Sequence, residues 1–315
     1  MTKIIDFTNC ILSNRNLQYG GRAGEKRGII YNNELWFLKF PKNTIGMRKV
    51  EGLSYVTSPL SEYIGSNIYS ILGYDAHRTL LGICFDGKRN KVVCACKDFI
   101  FNDSNELLIP YTSLRNDTNP IIMERRDSSL HSASNINEII FQLKHNTVLS
   151  KIKECGNRFW DVVLIDMLIN NNDRNEDNWG VIKYKDKNEY ILAPIYDCGN
   201  CFYSKTSDER IISILSDEKK LFSSAINGIT AYEDDDEKRI SALSILNYIK
   251  NNNSETLSRV YNNVLEHFNE IADFIKQIPN SFKDVHIISD VRKEYYIKTL
   301  KIRLDYIFKE FLNVN

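Results

Sequence analysis

The sequence predicts an α+β fold in two lobes, a small strand-rich lobe over residues 1–102 and a larger helical lobe over residues 103–315. Three observations predict it. Paired apolar runs flank turn residues in the first part, helical spacing of apolar residues takes over in the second, and a polar stretch lies between them.

The elements follow in order. Gly28 to Asn32 and Leu35 to Phe40 are apolar runs around Asn32-Asn33, whose chemistry suits a hairpin turn. A helix is predicted next. Ser58 supplies a cap, Pro59 takes the first helical position, and Leu60, Ile64, Ile68, Ile71 and Leu72 keep helical spacing up to Gly73. Thr79 to Phe85 and Lys91 to Phe101 predict a second hairpin around Asp86-Gly87. Asn102 to Pro120 is polar and predicts a loop, with a hinge expected near 96–105. Helices are predicted over Ile136–Val148 and Phe159–Asn170, the latter apolar on most faces and therefore buried. Gly180 to Tyr184 and Tyr190 to Ile195 predict short strands, and Ile240–Lys250, Leu257–Ile278 and Val291–Leu312 predict helices. The acidic run Glu233 to Glu237 fits a solvated loop.

Composition narrows the function. Lys+Arg and Asp+Glu both number 41, so the net charge is zero and the basic excess of a duplex nucleic-acid binder is missing. The first ten residues lack the charged start, apolar run and cleavage site of a secretory signal. The longest apolar stretch, Phe159 to Ile169, is short and contains Asp161 and Asp166, so no membrane insertion is expected. These features predict a cytoplasmic protein. The seven cysteines predict reduced thiols, although Cys94-x-Cys96 and Cys198-x-x-Cys201 could together offer four thiolates to zinc.

Four constellations carry chemistry. Gly20 to Gly28 packs four glycines and three basic residues into nine positions before a strand, and includes Gly21, Arg22, Ala23, Gly24, Glu25 and Lys26. Such a turn lets backbone N–H groups approach phosphate oxygens. Lys39 sits in the apolar strand Leu35–Phe40, where its charge needs a partner or an anionic ligand. Glu62, on the following helix and off the Ile64/Ile68 stripe, is a candidate partner, with Glu51 its rival. Asp173 and Asn178 have D-x-x-x-x-N spacing between a buried helix and a strand, and Asp197 lies nineteen residues on, at a strand end before Cys198-Gly199. Asn178 and Asp197 are oxygen donors from separate loops, as magnesium beside a nucleotide requires. This order points to phosphoryl transfer from a nucleotide.

On these residues the chain resembles the HipA-like serine/threonine kinases, and within them a compact, cell-translocating bacterial branch. The resemblance rests on Ala23-Gly24-Glu25-Lys26, Leu38-Lys39-Phe40-Pro41, Ser61-Glu62-Tyr63, Ile71-Leu72-Gly73, Asn172-Asp173 to Asn178, and Ala193 to Asp197. It spans residues 18–310 and is loose in the C-terminal helices. It implies a bilobal protein-kinase-like fold, ATP and Mg2+ as cofactors, and protein serine or threonine as acceptor. By it Asp173 and Lys39 are catalytic, Glu62 orients the lysine, Asn178 and Asp197 hold the metal, and the loop around Gly24 covers the phosphates. By it, too, the backbone of Cys96, Lys97, Asp98 and Phe99 meets adenine. Secretion or translocation into host cells enters through the resemblance alone.

There are departures. Asn175 stands where the family usually has histidine, the family's long N-terminal extension is missing, and Tyr19 occupies the neighbourhood of its loop serine. Antitoxin pairing, DNA association and self-inactivation through that loop therefore do not carry over. Autophosphorylation is expected elsewhere, with Ser204, Thr206 and Ser207 as candidates. Two rival readings stay open. One is a phosphoinositide-type lipid kinase, since Asp173-Arg174-x-x-Asp177-Asn178 also fits that class, although residues 199–210 are nearly neutral. The other is an ATP-binding pseudokinase or interaction protein.

Overall fold

The computed structural model describes residues 2–14, 25–47, 50, 52–100, 105–115 and 134–309. Strands β1 (Ile5–Asp6), β2 (Ile11–Leu12), β3 (Lys26–Tyr31) and β4 (Glu34–Lys39) precede helix α1 (Ser58–Ile71), and β5 (Thr79–Phe85) and β6 (Asn90–Lys97) follow it. Together these strands form one sheet in the order β1-β5-β6-β4-β3-β2. Only the β1–β5 pairing is parallel. Asn32 and Asn33 both take positive φ, 50° and 61°, which matches the right-handed twist of the β3–β4 hairpin.

Strand alternation splits this sheet into two faces. Trp36, Leu38 and Phe40 join Phe7, Ile29, Val93 and Ala95 in a small core on one side. On the other side Leu81, Cys94 and Cys96 pack with Ile64 and Ile68 of α1. That inner cluster continues without a break into the helical lobe, through Phe159, Val163, Ile165 and onward to Tyr296 and Phe308. Each large side chain so buried contributes about 1.5–3 kcal/mol.

The helical lobe begins with β7 (Glu106–Pro110) and a short α2 (Tyr111–Leu114), then β8 (Ser134–Asn135), α3 (Ile136–His145) and α4 (Cys155–Ile169). Next come β9 (Gly180–Tyr184), β10 (Glu189–Leu192), α5 (Asp208–Leu215), α6 (Glu218–Ile226), β11 (Tyr232–Glu233), α7 (Ala242–Lys276), β12 (Ser281–Phe282), β13 (Val285–His286) and α8 (Asp290–Ile302). β7, β9 and β10 make a small sheet in the order β10-β9-β7. α4 is buried nearly throughout, as its apolar run predicts.

The structure corrects three expectations. Thr57, not Ser58, occupies the α1 cap position, and its Oγ1 donates to the Ser204 carbonyl 3.2 Å away instead of capping the helix. The strand expected to reach Phe101 ends at Lys97: the Asp98 amide makes a last cross-strand bond to the Leu35 carbonyl, and its carboxylate Oδ1 then accepts from the Ile100 amide at 2.9 Å. The polar stretch 102–120 contains β7 and α2, held by pairing of β7 with β9. The helices expected over 240–250 and 257–278 are both present as the two arms of α7, which breaks at Asn253, where φ is −157° and ψ 57°.

Candidate active site

Lys39 ends β4 on the sheet's inner face. Its Nζ lies 2.8 Å from Glu62 Oε2 and 2.9 Å from Asp197 Oδ1. Burial alone would strip its proton, but Asp197 and then Glu62 outweigh that and hold the ammonium well above its ordinary range. Glu62 is 0% exposed, because both faces of α1 are covered at its second turn. It points into the sheet, between Lys39 and His77, whose Nε2 is 2.9 Å from Oε1. Burial opposes its charge as well, and Lys39 and His77 overcome it, keeping the carboxyl well below its usual value. The rival Glu51 and the loop residues Gly21, Arg22, Ala23 and Gly24 lie outside the described residues.

Lys26 pairs with Lys39 across β3–β4. Burial and the Lys39 charge lower its pKa. Two cations therefore face one cleft, where anionic phosphate would relieve their repulsion. Glu25 turns instead to Arg27, 2.9 Å away.

Below the sheet, Asn170 closes α4 in the left-handed conformation and reverses the chain into the loop 171–178. Asp173 is exposed to solvent, with protein close enough on one side to weaken its hydration. That weakened hydration, followed by repulsion from Asp197, raises its pKa above the ordinary carboxylate value. Asn178 donates from Nδ2 to the Asp173 carbonyl at 2.8 Å. The oxygen end of that amide remains as an acceptor. Asp197 follows Tyr196 with φ 60°, and Phe202 and Tyr203 are also left-handed, at 53° and 58°. Costly backbone of this kind clusters in ligand-binding and switch loops of proteins generally.

Arg174 ties these loops together. It is 1% exposed, and its Nε meets Asp166 Oδ2 at 2.7 Å. Its guanidinium also donates to the Asn178 carbonyl at 2.9 Å and to the Tyr196 carbonyl. One side chain thus fixes the backbone of both candidate metal loops. Asn200 adds a second tie, donating to Asn172 Oδ1 at 2.6 Å.

The expected adenine segment runs along the edge of the same cleft. The amides of Lys97 and Asp98 are already bonded to the carbonyls of Arg78 and Leu35. Phe99 packs on Tyr196, with ring centroids 5.7 Å apart. The Cys96 thiol is turned into the lobe, beside Glu62 and His77. The four-thiolate arrangement is not formed: Cys201 donates to the Ser61 carbonyl at 3.0 Å, and Cys198 accepts from Arg174 at 3.6 Å. All seven cysteines are free thiols. Of the hydroxyl candidates, Ser204 and Ser207 are buried, with Ser207 capping α5, while Thr206 is half-exposed.

Sequence reasoning brought Lys39, Glu62, Asp173, Asn178 and Asp197 forward, and the structure gathers Lys39 with Glu62 and Asp197, and Asp173 with Asn178. It missed His77 altogether and saw Arg174 only as part of a spacing. A buried histidine two residues before a strand carries no linear signal. For Arg174 the flanking aspartate and asparagine were the available clue.

No protein-family profile matches the chain. The chain is 30% identical over 306 residues to the serine/threonine-protein kinase CtkA of Helicobacter pylori, strain J99, an alignment covering 95% of this chain and 88% of that one. It belongs to the CtkA family of HipA-like serine/threonine kinases. The crystal structure of CtkA, described as a proinflammatory kinase of Helicobacter pylori, superposes with a TM-score of 0.82 at 29% identity, covering 98% of this chain and 97% of that chain. HipA of Shewanella oneidensis MR-1, solved with HipB and operator DNA, shares the fold alone, with a TM-score of 0.55 at 14% identity over 94% of this chain and 67% of that one. The two-lobed kinase fold and protein serine/threonine kinase activity are thereby shown for this CtkA relative.

Proposed function

We propose that this kinase binds ATP with Mg2+ between its lobes and transfers the γ-phosphoryl group to serine or threonine hydroxyls of a protein, with division of the lobes at 102/103. The observation that carries this reading is the Lys39 ammonium held between Glu62 and Asp197. In kinases a strand lysine paired to a helix glutamate grips the nucleotide phosphates. Lys39 and Lys26 would neutralise phosphate oxygens, aided by the loop around Gly24, and backbone at 96–99 would meet the adenine edge.

Asn178 and Asp197 fit magnesium by chemistry: both offer hard oxygens from separate loops, and Asp197 is already charge-paired in the cleft. When bound, the metal would neutralise charge on the transferring phosphoryl group. Asp173 would accept or orient the acceptor hydroxyl proton, and its raised pKa improves it as a base. Lys205, whose charge acts on Asp173 from the neighbouring loop, would stabilise the departing charge. Autophosphorylation, if it falls after the metal aspartate, would fall on Thr206, the accessible hydroxyl there.

A phosphotransfer assay with labelled ATP, magnesium and a generic basic protein tests the reading. Wild type is expected to label protein, and Asp173→Ala and Asp197→Ala to lose at least about a hundredfold. Label on phosphoinositide vesicles instead of protein would move the acceptor to lipid. Equal transfer by wild type and Asp173→Ala would remove Asp173 from the chemistry.

A further inference from the structure

We propose that Cys96, His77 and Glu62, completed by Cys94, form a zinc site directly behind the Lys39 ion pair. One ligand atom from each of Glu62, His77 and Cys96 lies within 4.8 Å of the others, and all three residues are buried. They come from separate parts of the chain: α1, the segment before β5, and β6. Cys94 and Cys96 share one face of β6, and their sulfurs are 4.0 Å apart. Two sulfurs each about 2.3 Å from a tetrahedral zinc stand about 3.8 Å from one another. His77 Nε2 and Glu62 Oε1 are 2.9 Å apart, against about 3.3 Å for nitrogen and oxygen ligands on such an ion. Three of the groups already stand close together, and Cys94, near Cys96 but outside that close set, would swing inward to complete it.

A second observation points the same way. Glu62 and His77 are sealed from solvent, with Oε2 paired to Lys39 and Oε1 to His77 Nε2, so a zinc ion would take the place of the proton between that oxygen and that nitrogen. Two sulfurs, an imidazole and a carboxylate are a zinc donor set, too soft for magnesium. Charge balance agrees. Two thiolates, one carboxylate and a neutral ring around Zn2+ leave one negative charge, facing the positive Lys39. Loading releases two protons to solvent, one from the Cys94 thiol and one from the His77 ring, which in the empty site stays protonated against burial through Cys96 and Glu62. Glu62 would bind through Oε1 and keep Oε2 for Lys39, so the metal would fix the carboxylate that orients the lysine.

The test is metal content, read without ATP and therefore independent of the kinase reading. Full-length protein is unfolded and refolded with zinc, and separately with cobalt, then passed through a desalting column. Stoichiometric zinc is expected, with thiolate-to-cobalt charge-transfer absorption in the cobalt sample. Cys96→Ser should lose both, and Cys94→Ser should weaken retention by about tenfold or more. Cys84→Ser, a buried thiol on the opposite face of the sheet, should retain both. Wild type that refolds by circular dichroism yet holds neither metal overturns the proposal, as does retention in Cys96→Ser equal to wild type. If Cys96→Ser fails to fold, the Cys94→Ser result decides in the same sense.

Discussion

A carboxylate held near another carboxylate is under strain at neutral pH. Asp173 is in that position: weakened hydration and Asp197 raise its pKa. The folded state therefore binds its proton more tightly than the unfolded chain does. The resulting stabilisation is fully present below the ordinary value of 3.8 and is lost as pH rises through the raised one. At pH 7 the charged group is a net burden on stability. Asp173→Asn is expected to melt higher than wild type at pH 7, with the gap closing as pH falls toward 4, while transfer drops by about 10²–10⁴. Thermal denaturation across pH, beside the phosphotransfer assay, checks both halves. An unchanged or lower melting temperature at pH 7 would contradict the electrostatic account. At this scale the sequence spoke where chemistry follows linear spacing, as for Asp173 and Asn178. It was silent on His77, whose partners Glu62 and Cys96 are brought to it by two separate elements, α1 and β6. Nor did it place the Cys96 thiol beside Glu62 and His77.

At the scale of elements, α1 is the part on which the cleft depends. It carries Glu62, packs under β5 and β6, and leans on the loop after Asp197. Gly65 permits that last contact. A Cβ there would stand 2.7 Å from the Cys198 Cβ and 2.9 Å from the Cys201 sulfur, both buried and unable to withdraw. Gly65→Ala is expected to cost about 1–3 kcal/mol in urea denaturation. It should also lower kcat, because pushing α1 off the loop parts Glu62 and Lys39 from Asp197. Loss of stability with full kcat would show that the two are not coupled. The strands and helices of this machinery were legible, since turn dipeptides and helical spacing mark them. Their ends were not. β6 ends at Lys97, where the Asp98 carboxylate accepts from the Ile100 amide, and the cap position of α1 falls on Thr57, whose hydroxyl donates to the distant Ser204 carbonyl, outcomes that propensity alone does not mark.

For the whole molecule, two lobes do not mean two cores. The larger apolar cluster runs from the inner sheet face through α1 into α4 and on to α8. The small lobe thus shares its main interior with the large one. One cooperative thermal transition is expected, and a non-hydrolysable ATP analogue with magnesium should raise it as a unit by mass action. Two resolved transitions in calorimetry, with only one moved by nucleotide, would show the lobes melting separately. The sequence showed the change in character between the lobes. It could not show that one helix inserted between two hairpins would join their interiors.

The burial of the thiols has a practical consequence. Cys10 is partly exposed, whereas the other six cysteines are sealed. It lies between β1 and β2, at the edge of the small lobe. A thiol-reactive dye therefore has one address on the native protein, and no cysteine need be removed first. Paired with a second fluorophore on the helical lobe, it would report the distance between lobes as nucleotide enters. The same chemistry run in denaturant would count six further groups, each marking how far the interior has opened.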